Sequence, residues 1–113
     1  MAVMTVPDAD TMRAAAQSAC ALMKVLANPD RMLLLCELAE GERNVGELQE
    51  KVGVQQPTLS QQLAVLREEE LVSTRRDGKN IYYSIADPRV LAVLQVLYAQ
   101  YCAPPAKGRK ARK

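Results

Sequence analysis

The sequence predicts a mainly α fold carrying one small β-hairpin, and three observations predict it. The first is VGVQQPTLSQQLAVLREEELV, Val52 to Val72, where Leu59, Leu63, Val65 and Leu66 form one apolar helical stripe. Amides and hydroxyls crowd the other face. The second is the run STRRDGKNIYYSI that follows at once, in which two strand-like segments flank Asp77-Gly78, a strong hairpin signal. The third is Val90 to Cys102, VLAVLQVLYAQYC, which holds no charged residue and is apolar on every face. A chain of 113 residues is too small to surround such a helix alone. Together these features describe a winged helix-turn-helix that pairs with its own copy.

Each element has a local reason. Thr11 to Ala27 reads as a helix rich in Ala14, Ala15, Ala16, Ala19 and Ala21, small residues that let another helix approach closely. Asn28-Pro29 breaks it, Pro29 or Asp30 opens a second helix through MLLLCELAE, and Gly41 ends that one. Asn44 is an N-cap for a third helix, Val45 to Val52, and Gly53 is the turn residue behind it. Pro57 suits the first turn of the next helix, where its missing N–H would have had no partner. Strands follow at Leu71 to Arg76 and Asn80 to Ile85. Asp87-Pro88 starts the last helix, which runs to about Tyr101 before Pro104-Pro105. The expected organisation is a flexible N-terminus over 1–9, one domain over 10–103 and a basic disordered tail over 104–113.

Composition narrows the function classes. With 49% hydrophobic and 25% charged residues, the chain fits one globular domain with a small core. The N-terminal MAVMTVPDADT is no secretory signal, and no stretch approaches the roughly 18 apolar residues a membrane span needs, so a cytoplasmic address is expected. Three cysteines there would rest reduced, which suits redox or metal chemistry better than a disulfide framework. The net charge of +2 conceals a division: Lys107, Arg109, Lys110, Arg112 and Lys113 leave the rest with 10 Lys/Arg against 13 Asp/Glu, a formal −3. With no His, no glycine-rich phosphate motif and no cysteine beside a recognisable base, no enzyme and no cofactor are expected.

The remaining positive charge lies where a DNA reader needs it. Base edges are read by amides and hydroxyls, which assigns Ser60 and Gln61, helped by Thr58 and Gln62, to base readout. Gln56 and Arg67 are assigned to phosphate, and Arg75, Arg76 and Lys79 to minor-groove or phosphate contacts by the wing. Tyr82 and Tyr83 alternate on a strand, so at least one belongs to the core. The first and last helices pair across a two-fold axis, which would set two reading helices roughly 34 Å apart on palindromic double-stranded operator DNA. The competing reading sinks the last helix in one monomeric core.

The stretch from Leu22 to Tyr101 resembles the ArsR/SmtB family of winged helix-turn-helix repressors. That family's reading helix usually carries Ser-Gln-His-Leu and ends Gly-Leu-Val; this chain has Ser60-Gln61-Gln62-Leu63 and ends Glu70-Leu71-Val72. Gln62 thus replaces His, and Glu70 stands where Gly suits a left-handed helix terminus. Metal-sensing relatives use CxC motifs or paired His and carboxylates, which this chain lacks, so no metal is expected. Within ANPDRMLLLCELAEGE and VLQVLYAQYC, Cys36 and Cys102 resemble the cysteine pair of the BigR/SqrR-type branch, which responds to persulfides or polysulfides by bridging the two. The resemblance implies a repressor whose inducer is a reactive sulfur species. Taken alone, Cys36 beside three leucines and Cys20 among alanines read as packing residues, and Cys102 at a helix end as partly accessible. Two other readings stay open: a repressor answering trivalent arsenic or antimony through Cys36, Cys102 and Cys20, and a dimeric interaction module with structural cysteines.

Overall fold

A computed structural model describes residues 3–102, which form α1 (Ala9–Leu26), α2 (Pro29–Leu38), β1 (Arg43–Asn44), α3 (Val45–Val52), α4 (Thr58–Glu68), β2 (Val72–Asp77), β3 (Asn80–Ile85) and α5 (Pro88–Tyr101). The helix starts are chemically marked. Asn28 caps α2 by accepting from the Arg31 N–H at 3.0 Å, with Pro29 in the first turn. Asn44 and Glu47 close a reciprocal capping box on α3, at 2.8 and 2.9 Å. The Asp87 carboxylate accepts from the Arg89 N–H at 2.9 Å and opens α5.

Two left-handed residues end the helices that frame the turn. Gly53 takes φ 82° after α3 and returns its N–H to the Gln49 carbonyl. Glu70 takes φ 63° after α4; its N–H bonds the Arg67 carbonyl and the Leu71 N–H bonds Leu66, each at 3.0 Å. That pair of bonds is the Schellman closure, made here without glycine. Leu66 and Leu71, its apolar clasp, are both buried.

The core is aliphatic. Leu34, Leu35 and Leu38 of α2 meet Leu48 of α3, Leu59, Leu63 and Leu66 of α4, Leu71 and Val72 at the wing's base, and Val90 and Leu94 of α5. Burying each such leucine contributes about 2 kcal/mol. Leu22, Val25 and the buried Leu26 attach only the end of α1.

The wing is a three-stranded antiparallel sheet in the order β1-β3-β2. Val72 pairs with Ile85 and Asp77 with Asn80, and Gly78 supplies the positive φ that begins the tight turn. Strand β1, in which Arg43 and Asn44 pair with Tyr83 and Tyr82, was not expected. Two residues leave no alternation to read. Their pairing ties the wing to the N-cap of α3. Several boundaries also differ: α1 begins at Ala9 and ends at Leu26, α2 ends at Leu38, Pro57 stands at the cap of α4 with Thr58 the first helical residue, and β2 runs one residue later than expected, from Val72 to Asp77.

The last helix is not sunk in a single-chain core. Val90 and Leu94 are buried, whereas Val96 is 61% exposed, Tyr98 58% and Tyr101 82%. On α1 only Leu26 is buried. The reading that enclosed α5 within one copy is therefore overturned, because the helices around it cover one of its faces and leave the others open. Among the described residues no helix is long and apolar enough to cross a membrane. The expected basic tail, 104–113, lies outside the described residues.

Candidate nucleic-acid interface and thiol pair

Helix α4 is oriented by its stripe. With Leu59, Leu63 and Leu66 turned inward, Ser60, Gln61 and Arg67 are exposed, and Thr58 and Gln62 are half-buried. The start of the helix has an unexpected cap. Pro57 has no hydrogen-bonding side chain to offer, so the Gln56 side-chain Oε1 accepts from both the Ser60 N–H at 3.1 Å and the Ser60 hydroxyl at 2.6 Å. Gln49 donates to the Gln55 amide oxygen at 2.8 Å and holds the turn before it. Gln62 is engaged as well, accepting from Arg31 Nη1 at 2.9 Å.

On the wing, the three expected cations have different surroundings. Arg75 grips Glu42 through two bonds of 2.8 Å and lies 4.8 Å over the Tyr82 ring. The hydrogen-bonded guanidinium holds the Glu42 carboxyl below its ordinary range, and the carboxylate raises Arg75 in turn. Arg76 and Lys79 are exposed and make no ion pair among the described residues. Tyr83 packs against the core while Tyr82 carries Arg75. Sequence reasoning missed Glu42 and Arg31; both act through contacts more than 30 residues apart, which no local pattern reveals.

The cysteines are free and exposed. This corrects the packing expectation for Cys36: α2 turns Leu34, Leu35 and Leu38 inward and leaves Cys36 outward, while Cys20 lies exposed on α1, on the part of that helix which the single chain leaves open. Cys36 and Cys102 open onto one cavity of about 320 Å³ between α2 and α5, walled by Met32, Leu94, Leu97, Tyr98 and Tyr101. Partial burial pushes the Cys36 thiol up, and the charge of Cys102 adds to that. Cys20 does not line this cavity. Among the described residues no group of three or more His, Cys, Asp or Glu side chains is placed to hold a metal ion.

Known proteins share this architecture. The profile of the family described as "Bacterial regulatory protein, arsR family" matches residues 28–74. The Biofilm growth-associated repressor of Agrobacterium fabrum is 52% identical over 83 residues, 74% of this chain and 71% of that protein. The crystal structure of the transcriptional repressor BigR from Xylella fastidiosa superposes with TM-score 0.80 at 42% identity, over 87% of this chain and 100% of that one. The AntR antimony-specific transcriptional repressor does so with TM-score 0.70 at 37% identity, over 75% of this chain and 78% of that one. Regulators of this family bind operator DNA and act as dimers. With its wing, its amide-lined reading helix and half or more of its aligned residues shared with such a repressor, the chain belongs to the arsR family of bacterial regulators and is a transcriptional repressor, not an enzyme.

Proposed function

We propose that the reduced dimer binds a palindromic operator and blocks transcription, and that persulfides or polysulfides release it by bridging Cys36 to Cys102. The observation that carries this reading is the cavity shared by the two thiols, one from α2 and one from the end of α5. Helix α2 belongs to the reading head through Leu34, Leu35 and Leu38, and α5 holds the exposed apolar face that a second copy would cover. A bond between them links the DNA-reading half of each subunit to the dimer axis. A coupling of about 1 to 3 kcal/mol would change operator affinity roughly 5- to 150-fold.

The chemistry balances with the persulfide as oxidant. Each thiolate attacks the outer sulfur of a persulfide RSSH, takes that sulfur and releases RS⁻. The Cys102 perthiolate then attacks the inner sulfur of the Cys36 persulfide and expels HS⁻. Two thiols and two persulfides thus give one trisulfide bridge, two RSH and one H₂S. An inserted sulfur relaxes the Cα separation of about 7 Å that a direct disulfide demands.

For DNA contact, Thr58, Ser60 and Gln61 face the bases, and Arg67, Arg76 and Lys79 the phosphates. Gln56, Gln62 and Arg75 have side-chain partners within the protein and support those that reach out, and Ser60, whose hydroxyl donates to Gln56, keeps its oxygen lone pairs for a base donor. The test is anisotropy on a duplex selected by the protein from a random pool, before and after glutathione persulfide, with intact mass measured on the same samples. Cys36→Ser should remain a repressor under all sulfur treatments; release by that variant would sink the assignment. Alkylation of Cys36 should keep rising with pH beyond the range of an ordinary thiol, and Cys102→Ser should bring the curve only part of the way back, since burial, the larger cause, stays and the smaller one, the charge of Cys102, is removed.

A second reading has one observation behind it, the likeness to an antimony-specific repressor at 37% identity. Trivalent arsenic or antimony would take the same two thiolates. Stoichiometric binding of arsenite with loss of DNA, and no response to persulfide, would select it.

A further inference from the structure

We infer that Arg31 is the positioning residue of the reading helix, and that Gln62 faces inward to it instead of reading a base. The guanidinium sits where three helices meet. Its Nε donates to the Val25 carbonyl at 2.6 Å and its Nη2 to the Lys24 carbonyl at 3.5 Å, both in the last turn of α1. Carbonyls there have no partner within their own helix and carry the negative end of its dipole, so a cation is favoured. Its Nη1 donates to the Gln62 amide oxygen at 2.9 Å, halfway along α4. The Arg31 backbone is itself fixed, since its N–H donates to the cap residue Asn28.

A guanidinium has five donors, no acceptor and a rigid plane, and it stays charged at any working pH. Gln62 must therefore turn its amide oxygen, and not its NH₂, toward Arg31. A glutamine reads adenine by accepting and donating together in one plane, and this one's oxygen is turned to Arg31 instead of a base edge. What it supplies is register. The leucine stripe decides which face of α4 is buried, while the Arg31 to Gln62 bond pins the helix against rotation and sliding relative to α1 and α2. Gln61 and Ser60, one and two positions earlier, inherit that setting.

This inference rests on the DNA-binding half of the proposed function and is independent of the inducer, so every measurement is made on fully reduced protein. The decisive comparison is Gln62→Glu against Gln62→Leu, by anisotropy on the duplex selected from a random pool. Glutamate keeps an acceptor for Arg31 and adds a negative charge; leucine removes the acceptor and adds none. If Gln62 faces inward, Gln62→Glu stays within about 3-fold of the parent while Gln62→Leu loses about 10-fold. If it faces DNA, the order reverses, because a carboxylate among phosphates is repelled.

Arg31→Met should match the loss of Gln62→Leu, and the double variant should lose no more than either alone, the behaviour of two groups acting through one bond. Should Arg31→Met fail to fold by urea unfolding, Arg31→Lys replaces it. A single ammonium cannot span three acceptors and should give an intermediate loss. Because a lost phosphate contact reduces the salt slope by about 1, Gln62→Leu should leave that slope unchanged. Gln62→Glu binding more weakly than Gln62→Leu, additive losses, or a changed salt slope would each overturn the inference.

Discussion

The reading head and the face formed by α1 and α5 are built on opposite terms. In the head, α2, α3, α4 and the wing complete their own structure: each helix start but that of α4 has its own side-chain cap, the leucines close on one another, and Arg75 with Glu42 ties wing to body. Across the molecule, α5 shows Val96 and Tyr101 at 61% and 82% exposure, and α1 is anchored only through its C-terminal end, from Leu22 to Leu26. One region is finished within a single chain and the other leaves an apolar face open, which a second copy would cover. The two thiols lie where these regions meet, on α2 and at the end of α5. A covalent event there can act on both.

Substitutions can break this contrast, and the largest effect belongs to the finished half. Leu66 is fully buried at the end of α4 and clasps Leu71 in the helix closure. Leu66→Ala should cost about 3 kcal/mol, read as a shift in urea unfolding. Next in size is a change on the open face. Val96→Glu leaves the interior of the subunit untouched, so its fold should survive by circular dichroism while sedimentation reports a monomer. Losing the second reading head should then weaken operator binding by about 100-fold. Retained dimerisation would show that α5 does not carry the interface, and the contrast would fall.

The same division explains what was legible in the sequence. The boundaries of α3, the hairpin and the start of α5 followed from Asn44, Gly53, Asp77-Gly78 and Asp87-Pro88, residues whose backbone chemistry acts within a few positions. The exposure of Cys36 was not legible, because neighbouring leucines in a helix point elsewhere and only the angular position of residue 36 decides. Nor were the partners of Arg75 and Gln62, although both residues were picked out as DNA contacts. Residue type announced their capacity to bind phosphate or base. What they hold in the fold was set by Glu42 and Arg31, about 30 positions away.

The smallest predicted effect sharpens the account of the finished half, since it concerns the one place where that half is strained. Glu70 adopts φ 63°, a conformation in which its Cβ crowds the backbone and which glycine takes freely. It also adds a carboxylate beside Glu68 and Glu69 at the negative end of the α4 dipole. Both effects are relieved by Glu70→Gly, while the greater freedom of glycine in the unfolded chain works against the gain. The balance should be a stabilisation of about 0.5 to 1 kcal/mol in urea unfolding. Glu70→Ala separates the two causes: it removes the charge and keeps the Cβ, so it should recover only the electrostatic part. If alanine did as well as glycine, charge and not backbone geometry would be the source of the strain. The left-handed closure would then be as comfortable for this chain as for one that carries glycine there.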